Sequence, residues 1–421
     1  MQAANWTVLA YLAGDNNLEG AAIKDMNEME AVGSLEGKVN ILVQVDRAAN
    51  YDTSNDDWRS TRRYYITRGT SRRKITSTLI TDLGATNTGD PRLLKDFIRW
   101  GVQEYPAEHY MLVLWNHGSG FYVPPEMLVG EGAPSAREIT TRAFPKLRRT
   151  MFRTAREKIL NLPPSERGIC YDDASNDCLD NQELKNILEY ASSLLSGRKI
   201  DVVGMDACLM TMIEVAYQIK DHVKYLVGSE ELEPGDGWPY DAVLKALADK
   251  PQTSPKDFAV HIVNEYIKSY DRFGEFDPDV TQSVLDLENM NDLVHGIDGL
   301  AKALLANLRD PQVNSAVFTA WRGSTRFFDN FYVDLHQFAM LLQQAYPTGD
   351  IPMACQMVTA AIESRGPASP VVAEGHLGPR MGKVKGVSIY FPPFRNPSAF
   401  YDDLDFAKDT QWGAFLEAYL Q

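Results

Sequence analysis

The sequence predicts an α/β fold, a mostly parallel sheet flanked by helices on both faces, with a C-terminal α+β extension. Two observations carry this. Short runs apolar enough to be buried on both faces alternate with amphipathic segments, and no internal repeat or low-complexity linker interrupts the alternation. Length and composition agree: 421 residues, 44% hydrophobic and 24% charged, suffice for one large or two moderate domains of ordinary soluble type. The formal net charge of −15 argues against nucleic-acid or anionic-membrane partners, which such a surface repels at long range. No apolar run reaches the roughly 18 residues of a spanning helix, and the N-terminus lacks a basic, then apolar leader. As it stands the chain reads as cytoplasmic, or as secreted if a leader was removed.

In chain order, WTVLAYLAG (6–14) reads as a strand, NNLEGAAIKDMNEMEAVG (16–33) as a helix and VNILVQVD (39–46) as a strand. RRYYITRG and ITSTLITDLG suggest a hairpin, DPRLLKDFIRWGVQEY a helix, and YMLVLW (110–115) a buried strand. Asp180 followed by Glu183 forms a capping-box start for DNQELKNILEYASSLL. KIDVVGMDA (199–207) is a buried strand that leads into the helix TMIEVAYQIKDH. Beyond about 250 come long helical patterns such as SPKDFAVHIVNEYIKSY and NDLVHGIDGLAKALLANL, then the strand GVSIYFPPF, closed by prolines.

In parallel sheets, chemistry collects where the strands end at their C-terminal edge. Two strands end there in capable residues: YMLVLW runs into Asn116-His117-Gly118, and IDVVGM into Asp206-Ala207-Cys208. Placed side by side, His117 and Cys208 would meet despite the long interval between them. A thiol with an ordinary pKa of about 8.5 is mostly protonated at neutral pH, so a nucleophilic cysteine needs a nearby imidazole. Gly118, lacking a side chain, lets its N–H approach a developing oxyanion, with the Cys208 N–H as the natural second donor. Taken singly, each residue also suits a structural role, a strand-end histidine or a buried small hydrophobe.

Five blocks in order, WTVLAYLAGDNNLE, LVLWNHGSGF, DDASNDCLDNQELKNIL, DVVGMDACLMTMIEVAYQI and VGSEELEPGDGWPYD, resemble the clostripain family of cysteine peptidases, with KGVSIYFPPF near the C-terminus similar as well. The resemblance implies a caspase-like catalytic region over residues 1–250 carrying a basic insertion, and a C-terminal extension over 251–421 packed on it. It implies His117 as general base, Cys208 as nucleophile, and cleavage of proteins or peptides after Arg or Lys. Asp206 and Asp236 match the positions implicated in the pocket for that basic side chain. On the residues alone, Asp206 also suits a helix cap and Asp236 a turn before Gly237. No cofactor is required for the chemistry; several relatives depend on calcium, so the resemblance leaves room for a bound Ca²⁺, with no ligands assigned. A monomer is expected.

The segment REITTRAFPKLRRTMFRTAREK (137–158) lies between the two chemical residues and is densely basic in an acidic chain. It reads either as a solvated surface helix or as a built-in substrate, with Lys146, Arg148, Arg149, Arg153 and Arg156 as candidate sites of self-cleavage. DDASNDCLDNQE lacks the spacing of an EF-hand loop, Cys170 and Cys178 lack a histidine at zinc-site spacing, and Cys355 falls on a core helix. The leading function is therefore an Arg/Lys-directed cysteine endopeptidase. Its rivals are a catalytically silent binding or scaffold protein of the same fold, and a thiol acyl hydrolase acting on non-peptide substrates.

Overall fold

The computed structural model describes residues 3–49, 51–69, 71, 74–121, 168–272, 278–327, 330–392 and 400–421. The first half of the chain runs β1 (Ala4–Leu12), α1 (Glu19–Val32), β2 (Val39–Val45), β3 (Arg62–Tyr65), β4 (Thr78–Asp82), α2 (Pro91–Glu104) and β5 (Ala107–Trp115). After the interval 122–167 come β6 (Ile169–Asp172), β7 (Asp177–Leu179), α3 (Asn181–Leu194), β8 (Ile200–Asp206), α4 (Ile213–Ile219), β9 (Val223–Gly228) and α5 (Tyr240–Asp249). The remainder comprises α6 (Pro255–Tyr270), β10 (Val280–Asp286), α7 (Asn291–Asn307), α8 (Pro311–Gly323), β11 (Arg326–Phe327), β12 (Tyr332–Asp334), α9 (Leu335–Ala345) and α10 (Ile351–Glu363). β13 (Val371–Leu377), β14 (Ser388–Tyr390), α11 (Asp405–Asp409) and α12 (Trp412–Leu420) close the chain.

Among the described residues nine strands form one sheet in the order β13-β10-β9-β8-β5-β1-β2-β3-β4. The central five, β9, β8, β5, β1 and β2, are parallel, and the flanking strands add on antiparallel. The expected mostly parallel sheet with helices on both faces is what forms. Alternation along each strand feeds two cores. Leu9, Tyr11, Leu112 and Leu114 pack with α2, α3 and α4 on one face, while Val8, Ala10 and Val113 pack with α1, α5 and α6 on the other.

Helix starts follow local chemistry. Asp90 accepts from the Arg92 N–H ahead of Pro91, and Ser254 accepts from the Asp257 N–H ahead of Pro255. Asp180 and Glu183 close the expected capping box. The expected boundary at 250 falls between α5 and α6, and β10 and β13, from beyond it, extend the same sheet. A second, three-stranded sheet, β11-β12-β14, reaches the loop after β5 through Tyr332, whose hydroxyl donates to the Ser119 carbonyl at 2.7 Å. Among the described residues no helix is long and apolar enough to cross a membrane.

Candidate active site

β5 and β8 are direct parallel neighbours, and Trp115 pairs with Asp206. Two residues further on each chain stand His117 and Cys208, so the register brings both to one sheet edge, where both line a single cleft of about 520 Å³, counting the part open to solvent. The loop carrying His117 is tied down by asparagines. Asn116 donates to the carbonyls of Ala13 and Tyr171, and its own side-chain oxygen accepts from the His117 N–H. Asn16, in the loop after β1, donates to the same two carbonyls, each at 2.9 Å. The His117 ring is held in turn: Nε2 lies 2.9 Å from Asn17 Oδ1, and Tyr171 stands edge-on with centroids 6.5 Å apart. An amide oxygen only accepts, so this contact suits the tautomer protonated on Nε2, in which Nδ1 is the basic nitrogen.

Cys208 is buried, and its Sγ accepts from the Glu233 N–H at 3.2 Å. Burial pushes its thiol up to about 12; the Glu233 N–H pulls the other way, while the charges of Glu233, Glu231 and Asp206 add to the rise. The thiolate therefore needs a proton acceptor beside it. Immediately after Cys208 the chain turns through Leu209 at φ 67°, a left-handed conformation that costs a leucine energy and marks a tightly determined turn. Gly118 fits against this turn because it has no side chain. A Cβ there would collide with the Cys208 carbonyl oxygen and press on Ala207 Cβ and Met210 Sδ at 3.0 Å each.

The two predicted pocket acids have different surroundings. Asp206 is buried on the cleft wall, accepting from the Tyr240 hydroxyl at 2.8 Å and the Trp238 N–H at 3.3 Å, and burial raises its pKa. It caps no helix, since α4 begins only at Ile213 with Met212 before it. Gly237, at φ 59°, lies against its carboxyl, where a Cβ would stand 3.1 Å from Oδ2. Asp236 sits outward, with a side chain 38% exposed and 3.7 Å from Lys24 Nζ, while Gly235 and Gly237 on either side of it line the cleft. Three residues that sequence reasoning passed over belong to this neighbourhood: Asn17 on the His117 ring, Glu233 on the cleft wall, and Asp25, which accepts from Trp115 Nε1 at 2.8 Å. Glu233 stands in the acidic run Glu230-Glu231-Leu232-Glu233, a signal in the sequence that points to it.

The sequence profile of the clostripain family matches residues 10–127 and 156–419. The chain belongs to the clostripain family. Clostripain of Hathewaya histolytica is 27% identical over 265 residues, a match covering 60% of this chain and 44%, less than half, of that relative's length. A secreted C11 cysteine protease from Bacteroides thetaiotaomicron, solved in complex with an irreversible peptide inhibitor, superposes with a TM-score of 0.64 at 20% identity, covering 98% of this chain and 100% of that one. An inactive zymogen C11 protease from Parabacteroides distasonis superposes at 0.60 with 18% identity, covering 97% and 99%. These solved structures share the fold of the chain, and the caspase-like architecture expected of a clostripain-family member is the one described above.

One further acidic group adjoins the site. Asp15, Asp46 and Asp172, from the loops after β1 and β2 and from β6, place carboxylate oxygens within 4.8 Å of one another. Burial raises Asp46 to about 7, with Asp15 and Asp172 contributing. Asp172 already accepts from the Thr88 N–H and the Ser175 N–H, both at 2.8 Å. The four cysteines are free and buried, Cys355 in the core on α10. The basic segment 137–158 and its five candidate cleavage residues lie outside the described residues.

Proposed function

We propose that the chain is a cysteine endopeptidase, acting as a monomer on proteins or peptides and cutting after Arg or Lys. The observation that carries the proposal is the Trp115–Asp206 register, which sets His117 and Cys208 in one cleft beside a buried carboxylate. In this reading His117 takes the proton of Cys208, the thiolate attacks the scissile carbonyl, and the Gly118 and Cys208 N–H groups receive the oxyanion. His117 then returns the proton to the leaving amine, and water, activated by the same ring, releases the acyl group. Asp206 and Asp236 attract the cation of the residue before the cut. A charge pair about 4 Å apart is worth on the order of 4 kcal/mol before desolvation at an effective dielectric near 20. The peptide inhibitor bound by the Bacteroides relative supports peptide substrates.

The proposal extends to self-processing in the basic insertion, after Lys146, Arg148, Arg149, Arg153 or Arg156, in line with the zymogen state of the Parabacteroides relative. It also extends to calcium. Asp15, Asp46 and Asp172 offer the hard oxygen donors this ion takes, and a bound Ca²⁺ there would brace the loop bearing Asn16 and Asn17. Calcium should then raise the melting temperature of wild-type protein and not of Asp46→Asn, and an equal response in both removes the assignment. The proposal as a whole is tested by turnover of fluorogenic peptides differing only in Arg, Lys, Asp or Leu before the reporter, with Cys208→Ala alongside. Cleavage of the basic peptides that vanishes in the variant is expected. No turnover points to a silent binding protein, and turnover confined to non-peptide thioesters or esters points to an acyl hydrolase.

A further inference from the structure

The cleft contains a carboxylate to which the family resemblance gives no role. Glu233 is fixed beside the nucleophile by its own main chain: its N–H donates to Cys208 Sγ at 3.2 Å, and its carbonyl lies 3.9 Å from the same sulfur. Its side chain is buried with the Asp206 carboxyl beside it, yet among the described residues neither carboxyl oxygen makes a close hydrogen bond. Three groups near it are likewise without a close hydrogen bond among the described residues, the Gln282 amide on β10, the Trp238 indole N–H and the Tyr266 hydroxyl, and of these Gln282 and Trp238 lie near enough to favour the charged Glu233 carboxylate. Native interiors rarely leave such groups unpaired, and four together mark a place shaped for a polar guest.

The character of the guest follows from charge. Asp206 adjoins Glu233, and burial together with this neighbour holds the Glu233 carboxyl well above the usual range. Two carboxylates in one desolvated site ionise together only with a cation between them. Lys24 does not fill that place, since it is engaged at the rim by Glu28 at 3.2 Å and Asp236 at 3.7 Å. An ammonium would offer three donors from a single point, whereas a guanidinium offers five in a planar fork that reaches two carboxylates and the Gln282 oxygen together.

We propose that Glu233 and Asp206 form one receptor for a guanidinium, so that Glu233 is the residue that makes arginine preferred over lysine before the cut. This rests on the Arg/Lys peptidase reading above and goes further, dividing its two substrates. A receptor with unpaired buried acceptors discriminates by what an ill-fitting guest leaves unsatisfied, which is where polar sites are most selective.

The test compares kcat/KM on peptides identical except for Arg, Lys or citrulline before the cut, citrulline being the neutral near-isostere of arginine. Glu233→Gln should lower the Arg value by on the order of 30-fold and the Lys and citrulline values by less, so that the Arg:Lys and Arg:citrulline ratios both fall. Unchanged Arg:Lys:citrulline ratios in a folded Glu233→Gln protein overturn the proposal and leave the peptidase reading standing. A second measurement needs neither the variant nor turnover. Agmatine and cadaverine carry the two head groups on similar chains, and each can protect Cys208 of the wild type from iodoacetamide. Agmatine should protect at about a tenfold lower concentration, given the bidentate geometry available to it. Equal protection overturns the proposal. Preferential protection by agmatine without peptide cleavage sustains it as a binding site and removes only the peptidase reading.

Discussion

Replacing His117 by Ala should change how Cys208 responds to pH, and the size of the change follows from the burial of the thiol. With burial pushing the thiol up to about 12, only about one Cys208 in 10⁵ would be ionised at pH 7 without help. Relative to an ordinary cysteine near 8.5 that is a deficit of ~5 kcal/mol, at 1.36 kcal/mol per pH unit. A neighbouring imidazole offsets it by accepting the proton, forming a thiolate–imidazolium pair over the range in which histidine titrates. The assay is the rate of iodoacetamide modification of Cys208 from pH 5 to 10. In wild-type protein the rate should rise and level off near neutrality. In His117→Ala it should climb tenfold per pH unit without levelling, and lie at least about 100-fold below wild type at pH 7. Asn17→Ala, which removes the acceptor 2.9 Å from Nε2, should cost about 1 kcal/mol, a roughly fivefold slower reaction at neutral pH. A neutral plateau retained by His117→Ala would show that another group takes the proton and would sink the pairing of these two residues.

The pocket acids should separate by environment. Asp206→Asn, at a buried position, should lower kcat/KM for basic peptides by on the order of 2 kcal/mol or more. Asp236→Asn, exposed and shared with Lys24, should cost less than about 1 kcal/mol. If both variants keep the wild-type preference for Arg over Leu, the pocket is wrongly placed. Freshly purified active protein should carry a nick after one of Lys146, Arg148, Arg149, Arg153 or Arg156, with the fragments still associated because strands on both sides of the interval belong to one sheet. An uncut, fully active chain in mass spectrometry, or a Cys208→Ala protein nicked on its own, rules self-processing out. Glu214 is buried, accepts from the Tyr390 N–H at 2.9 Å and the Tyr401 hydroxyl at 3.2 Å, and is lifted by burial from 4.5 to about 7. A carboxyl lifted in this way contributes stability that is complete below about pH 4.5 and is lost as pH rises to about 7, up to ~3 kcal/mol in all. Glu214→Gln should therefore gain on wild type in thermal melts across that window, and parallel melting curves would refute it.

What the sequence by itself determined is what depends on near neighbours along the chain. The runs YMLVLW and IDVVGM are apolar on both faces and became β5 and β8, because only a strand covered on both sides buries every residue. Asp180 and Glu183 three residues apart fixed the start of α3 through two reciprocal hydrogen bonds. His117 and Cys208 stood out because each follows such a strand. What only the tertiary structure decided was register and approach across distant segments. Trp115 facing Asp206 is a choice of neighbour between strands about 90 residues apart, and hydrophobic patterning does not name the neighbour. The placing of Asn17 on His117 and of the Glu233 main chain on Cys208 depends on loops that meet only once the sheet is assembled. Asp206 was legible as cap or pocket acid alike, and the Leu209 turn removes the cap by delaying the helix to Ile213. β10 and β13 joined the main sheet from beyond residue 250 for the same reason: antiparallel pairing between distant segments is set by the edge left open to them, a property of the assembled sheet and not of any short stretch.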